Sequence, residues 1–78
     1  MLKIRNLKEI NEDELSFDYS CDGGEWGKAR YSFETRKYTI DEYSENDTPE
    51  SVFFKRHFNS AIKEALELGR DKATVMWY

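Results

Sequence analysis

The sequence has little of three residue types that small proteins use for stabilisation or catalysis. Its 78 residues include one cysteine, Cys21, one histidine, His57, and one proline, Pro49. A single cysteine excludes a disulfide within the chain, and Cys21 with His57 falls short of the four ligands of a structural zinc site. The simplest interpretation is a buried, inert thiol at Cys21 and a histidine packed at the boundary of the core.

Long apolar runs are also missing. The N-terminal residues are too polar for the apolar centre of a signal peptide, and no stretch approaches the roughly 18 apolar residues of a membrane span. We therefore expect a cytoplasmic protein without membrane contacts. The small size of the chain is typical of a bacterial or phage protein.

Aliphatic residues are scarce, and aromatic residues take their place. Leu, Ile, Val and Phe together account for 16 of 78 residues, and 36% of the chain is charged, a composition close to that of disordered proteins. The aromatic fraction of 15% changes this expectation, because each ring can bury roughly 150–250 Å². A chain of this length supports one core at most, so we expect a single folded domain over residues 1–78.

Much of the chain alternates between apolar and polar residues, as strands do. Residues 15–21 alternate without a fault and predict a half-buried strand. Residues 2–10 alternate less regularly and predict a strand with a bulge. Alternation over residues 28–35 and 37–43 predicts two further strands, with Tyr31 and Phe33 on the buried face of the first. Short connections between the four segments favour an antiparallel meander.

A helix is predicted after the polar loop that follows the fourth strand. Thr48 has the chemistry of an N-cap, and Pro49 suits the first helical position. Apolar residues then recur at spacings of three and four, so that one face extends from Phe54 to Leu68. Gly69, a typical residue just beyond a helix end, follows. The pattern predicts an amphipathic helix with one face packed on the sheet.

The last residues, 72–78, are rich in β-branched and aromatic types and predict a fifth strand. In one phase Ala73, Val75 and Trp77 face the core while Met76 and Tyr78 lie on the uncovered face. The opposite phase buries Met76 and Tyr78. The predicted fold is α+β with two layers: a four-stranded antiparallel meander, one helix on one face and a C-terminal strand, ββββαβ. If the last strand were parallel to its neighbour, the crossover would be right-handed.

Known catalytic and ligand-binding patterns do not fit the glycine-rich and acidic loops. A phosphate-binding loop would need glycine at Asp22 and a hydroxyl at Ala29, so Asp22-Gly23 is better interpreted as a tight turn that leads to Trp26. A calcium loop starting at Asp41 would need glutamate at Val52. We therefore predict no enzyme, metal or cofactor.

Exposed aromatic and methionine side chains point to protein contacts. These types are enriched at interfaces, and the predicted candidates are Trp26 on its glycine loop together with Tyr43, Met76 and Tyr78. Self-association is the stabilising device left to a small chain without disulfide or metal. We expect a small protein-interaction or regulatory domain that binds a protein partner or forms a homodimer.

Nucleic-acid binding is the alternative function. Its candidate residues are basic, Lys28 and Arg30 on the third strand with Arg56 and Lys63 on the helix. The net charge of −4 disfavours a nucleic-acid partner, because overall attraction to the phosphate backbone is missing. The rings and cations of the third strand also alternate onto opposite faces, whereas single strands are bound by both on one face.

Overall fold

A computed structural model of the chain describes residues 1–76, which form one sheet and one helix in two layers. The strands are β1 (Leu2–Glu9), β2 (Glu14–Cys21), β3 (Gly27–Ser32), β4 (Lys37–Glu42) and β5 (Ala73–Val75). A 3₁₀ turn (Lys55–His57) and the helix α1 (Phe58–Glu67) lie between β4 and β5. All neighbouring strands are antiparallel in the order β4-β3-β2-β1-β5, so the predicted ββββαβ fold is confirmed.

The core lies between the sheet and α1, and β2 crosses its centre. Leu15, Phe17, Tyr19 and Cys21 alternate along β2 and are all buried, as predicted. The ring of Phe58 on α1 contacts the rings of Phe17 and Tyr19 edge to face, with centroids 5.2 Å apart in both pairs. Because each buried large side chain contributes roughly 1.5–3 kcal/mol, this ring cluster helps to hold the two layers together.

The predicted bulge in β1 is confirmed. The register with β2 shifts between Arg5 and Lys8, and Asn6 adopts a positive φ of 55°. Asparagine tolerates this left-handed conformation better than most residues. The bulge exposes the backbone N–H of Leu7, which donates to the carbonyl oxygen of Asp71 at 2.9 Å. The chain entering β5 is thereby fixed beside β1.

β5 is the edge strand beside β1. Leu2 lies opposite Val75 and Ile4 lies opposite Ala73 in an antiparallel register, so the rule for parallel crossovers does not apply. Ala73 and Val75 pack against the core, and Met76 is 60% exposed. The phase that turns Ala73 and Val75 inward is therefore confirmed over the described residues.

The predicted helix start at Thr48 is wrong. The N–H of Ser51 donates to the Thr48 carbonyl at 3.1 Å and closes a turn with Pro49 at its second position, where the fixed φ of proline fits. The ammonium of Lys55 donates to the same Thr48 carbonyl and to that of Ser51. These carbonyls are bonded to a side chain instead of a helical turn, so α1 begins only at Phe58.

Two strand ends and the burial of one helical residue also differ from the prediction. β3 ends at Ser32, because the chain turns through Arg36 with φ 57°, and Phe33 is therefore 46% exposed instead of buried. β4 ends one residue earlier than predicted. The helix stop at Gly69 is confirmed by its φ of 63°, but Leu68 beside it is 58% exposed instead of facing the core.

Candidate functional site

A groove of about 550 Å³ opens where β1 and β5 meet the C-terminal half of α1. This volume falls within the usual range of ligand sites, about 300–1,000 Å³. Four of the lining residues are cationic and one, Glu64, is anionic. We call this site the basic groove, and its lining includes the side chains of Lys3, Arg5, Trp26, Leu68, Arg70 and Lys72.

The cations of the basic groove are mostly left without a counter-charge by the fold. Over residues 1–76, Lys3, Arg70 and Lys72 form no ion pair with a carboxylate. Arg5 differs, because its Nε lies 3.2 Å from Oδ2 of Asp18. Like charges gathered in a concave site raise the local concentration of oppositely charged ligands, so this arrangement attracts anions.

Trp26 reaches the groove through a loop that is fixed at both ends. The Asp22-Gly23 pair has φ values of 50° and 76°, the left-handed conformations of a tight turn. The carbonyl of Glu25 accepts a hydrogen bond from the hydroxyl of Ser44 at 2.7 Å. The indole then lies under the guanidinium of Arg5, whose central carbon is 4.0 Å from the ring centroid. This cation–π contact holds the half-buried ring at the groove.

The end of α1 places the remaining cations. The N–H of Arg70 donates to the carbonyl of Ala65 at 2.8 Å and that of Gly69 to Leu66 at 3.2 Å, the two bonds of a Schellman motif. The positive φ of Gly69 allows this sharp exit. The N–H of Leu7 at the bulge of β1 then bonds the carbonyl of Asp71. Because Arg70 and Lys72 flank Asp71, this bond helps to place both side chains in the groove.

Sequence reasoning did not identify Lys3, Arg70 or Lys72 as site residues. Lys3 is separated from the other two by most of the chain, and only the pairing of β1 with β5 brings them together. The one local signal was the basic character of the segment around Gly69. A basic segment next to a predicted strand does not reveal which other strand that strand pairs with.

The predicted partner-binding residues do not form one patch. Trp26 lines the basic groove, whereas Tyr43 follows β4 and Met76 follows β5, at opposite edges of the sheet. Tyr43 is 40% exposed, and Nζ of Lys55 lies 5.2 Å from its ring centroid. Tyr78 lies outside the described residues.

The predicted nucleic-acid-binding residues are divided between the two layers of the fold. Lys28 and Arg30 lie on the uncovered face of the sheet, since Ala29 between them is buried on the other face. The guanidinium of Arg30 binds the carboxylate of Asp41 through two hydrogen bonds of 2.8 and 2.9 Å, and the ion pair holds the pKa of Asp41 below its usual range. A third contact, to Glu14 at 3.4 Å, further neutralises Arg30.

The other two candidates lie on the helical layer. The guanidinium of Arg56 lies 4.7 Å from the ring centroid of Phe53. Lys63 faces Glu67 one turn along α1, at 4.0 Å. The four predicted cations are therefore not brought to one surface.

A buried polar cluster was not predicted. Oδ2 of Asp47 accepts a hydrogen bond from the hydroxyl of Tyr19 at 2.7 Å, and Oδ1 accepts one from Nζ of Lys55 at 3.1 Å. The N–H of Ser44 donates to the Tyr19 hydroxyl at 3.1 Å. We call these four residues the buried latch, because they attach the loop after β4 to the centre of β2. The loop composition indicated only a polar, exposed segment.

The buried latch is closed to solvent. The side chain of Asp47 has 0% exposure and that of Lys55 has 19%. Burial, followed by the hydrogen bond to Asp47, raises the pKa of Tyr19 above its usual value. Burial also raises the pKa of the Cys21 thiol to about 11, and the N–H of Cys21 donates to the Ser44 hydroxyl at 3.2 Å. These groups cannot contact a ligand without opening of the loop.

Comparison with known proteins gives no match to a protein-family model, a curated protein or a solved structure. Over residues 1–76, no helix has the length and apolar character needed to cross a bilayer. The same residues contain no group of three His, Cys, Asp or Glu side chains placed to hold a metal ion. The evidence for function is therefore the geometry and charge of the basic groove.

Proposed function

We propose that this chain is a small, non-enzymatic binding module that recognises an acidic segment of a protein partner in the basic groove. The observation that carries the proposal is the convergence of Lys3, Arg70 and Lys72 beside the ring of Trp26, with no carboxylate partner for these cations among residues 1–76. Trp and Arg, which the groove presents at Trp26, Arg5 and Arg70, are enriched among the side chains that dominate binding energy at protein interfaces. Carboxylates of the partner supply the negative charges that neutralise these groove cations.

The charge distribution supports a short acidic segment over a long polyanion. The chain carries −4 overall, and residues 41–51 include five carboxylates and no cation. A long nucleic acid would extend from the groove into this negative potential, whereas a segment of a few residues would stay within it. A groove of about 550 Å³ suits the shorter ligand.

A binding role is also supported by where the reactive groups lie. Tyr19 and Asp47 form the closest pairing of a hydroxyl with a carboxylate in the core, and the Asp47 side chain has no solvent contact. A catalytic acid or base must reach its substrate within hydrogen-bond distance. The proposal includes a cytoplasmic location, which the single, buried cysteine Cys21 supports.

Two other partners remain as alternatives at the same groove. A nucleic-acid single strand could stack a base on Trp26 with its phosphates on the cations, as such proteins combine rings and basic groups. A second copy could supply the exposed carboxylates Glu42, Glu45 and Glu50 of its own acidic segment and form the expected homodimer. Both predict measurable behaviour that differs from binding of an acidic peptide by a monomer.

The test is a titration followed by indole fluorescence. Replacing Trp77→Phe leaves Trp26 as the only tryptophan. We expect a glutamate-rich heptapeptide to change its emission at low salt, and the double variant Lys3→Glu/Lys72→Glu to bind about tenfold or more weakly, a loss of at least about 1.4 kcal/mol. The control that matches this change in net charge is Arg36→Glu/Lys37→Glu at the start of β4, at the opposite edge of the sheet, which should bind as the parent does.

Three outcomes would contradict the proposal. Equal weakening by Arg36→Glu/Lys37→Glu, which changes the net charge by the same amount, would show that net charge alone governs binding. Tighter binding of oligothymidylate than of the peptide, with an affinity that falls steeply between about 50 and 200 mM salt, would favour the nucleic-acid alternative. A molecular mass by light scattering that rises with concentration, and falls in Lys3→Glu/Lys72→Glu, would favour the homodimer.

A further inference from the structure

The two edges of the sheet differ in how well they could accept another strand. β4 carries the charged residues Lys37, Asp41 and Glu42, and its register with β3 shifts at Lys28, the irregularity of a bulge. Charges and bulges at an edge oppose strand addition. β5 reads Ala-Thr-Val, has no charged residue, and pairs with β1 without a register shift.

The outer side of β5 has no neighbouring strand among the described residues, since the sheet order ends there. Its backbone alternates between pairing with β1 and facing outward, as in any edge strand. The basic groove includes Ala73 and Thr74 of this strand among its lining residues. Unpaired backbone groups and uncompensated cations therefore lie in the same groove.

The two faces beside β5 also have different chemistry. Ala73 and Val75 face the helical layer, where the exposed side chain of Leu68 and the carboxylate of Glu64 line the groove. Thr74 alternates to the uncovered face, where its register partner is Lys3. A strand laid along β5 would meet an apolar side chain and a negative charge on one face and a cation on the other.

We propose that the acidic partner segment binds in extended form along the outer edge of β5 and adds a sixth strand to the sheet. Its carboxylates occupy alternate positions and face Lys3 and Lys72, and its intervening residues are small or apolar and pack toward Leu68. Main-chain hydrogen bonds supply affinity in this mode, and the alternation of side chains supplies specificity. The inference depends on the proposed function, because it assigns the conformation and pattern of the same acidic segment.

The test compares three peptides of equal net charge on the Trp77→Phe variant. The first alternates, Glu-Val-Glu-Thr-Glu-Val-Glu; the second has the same composition with its glutamates in one block; the third is the alternating peptide with N-methyl groups on alternate amides. We expect the alternating peptide to bind about tenfold more tightly than either control. Those amide protons of residues 73–75 that face away from β1 should become protected from exchange only with the alternating peptide.

The outcomes separate the two proposals. Equal affinity for all three peptides, with the loss in Lys3→Glu/Lys72→Glu retained, would overturn strand addition and leave acidic-segment binding in place. Failure of every peptide to bind would overturn the proposed function itself. Protection of residues 37–42 instead of residues 73–75 would show that the partner adds to β4, and would also overturn the inference.

Discussion

The buried latch and the basic groove both contain cations, but these cations differ in whether the fold provides them with a carboxylate partner. Lys55 in the latch donates to a carboxylate and to two backbone carbonyls at 2.6–3.1 Å. Lys3 and Lys72 in the groove have no carboxylate partner over residues 1–76. A buried charge must be compensated for the protein to fold, whereas an exposed one can be left for a ligand. Cations without partners in a concave site are therefore the better guide to function here.

The two regions are also connected through the chain. Ser44 of the latch donates its hydroxyl to the carbonyl of Glu25, the residue before Trp26. The same hydroxyl accepts the N–H of Cys21 on β2. The loop that presents Trp26 therefore depends on the latch for its position, although the latch takes no direct part in the groove.

The largest expected effect is loss of stability on opening the latch. Asp47→Ala removes the acceptor of Tyr19 and Lys55 and leaves a partly buried ammonium without its carboxylate. We expect a loss of about 3 kcal/mol in the free energy of unfolding, measured by urea denaturation. A loss below about 1 kcal/mol would show that the loop tolerates the unpaired charge, and the contrast between the two regions would fail.

A smaller loss is expected where the two regions approach each other. A Cβ atom at Gly27 would overlap the backbone of Glu42 and Ser44. We expect Gly27→Ala to cost about 2 kcal/mol, the range for overpacking. Gly23→Ala is the control, because its Cβ would meet nothing within 4 Å and its φ of 76° adds only strain of about 1 kcal/mol. Equal losses would mean that close packing at Gly27 is not needed.

The third effect is a pH dependence confined to alkaline solution. The folded pKa of Cys21 is about 11, above its unfolded value of about 8.5, so its contribution to stability is complete below about pH 8.5 and is lost as the pH rises toward 11. Urea midpoints should therefore fall over this range, and Cys21→Ala should fall less steeply. An identical slope in the variant would show that the thiol is not buried in solution.

The smallest expected effect is that of the groove cations on stability. Lys72→Ala should change the free energy of unfolding by less than about 0.5 kcal/mol, as for most exposed positions, while weakening binding of the alternating peptide. Urea denaturation and the fluorescence titration on the same variant provide both measurements. A destabilisation as large as that of Asp47→Ala would make Lys72 a structural residue and would remove it from the site.

Local patterns predicted most of the elements but not their boundaries or partners. The faultless alternation of β2 and the irregular alternation of β1 correctly predicted a buried strand and a bulged one. The Thr48-Pro49 pair gave a wrong prediction because a turn and a helix start favour the same residues. Lys55, seven residues after Thr48, stabilises the turn by donating a hydrogen bond to the Thr48 carbonyl. Trp26 was the one residue of the basic groove predicted from the sequence. An aromatic residue in a glycine-rich loop can be recognised without knowing which strands pair.

The sequence by itself determined that this chain builds an aromatic core from alternating strands and one amphipathic helix, since these periods are local properties of the chain. Only the tertiary structure decided that Lys3 meets Lys72 and that Asp47 is buried under Tyr19. The physical reason is that burial and charge compensation depend on which segments become neighbours. The packing of the whole sheet determines which segments become neighbours, and the pattern of a single segment does not specify it.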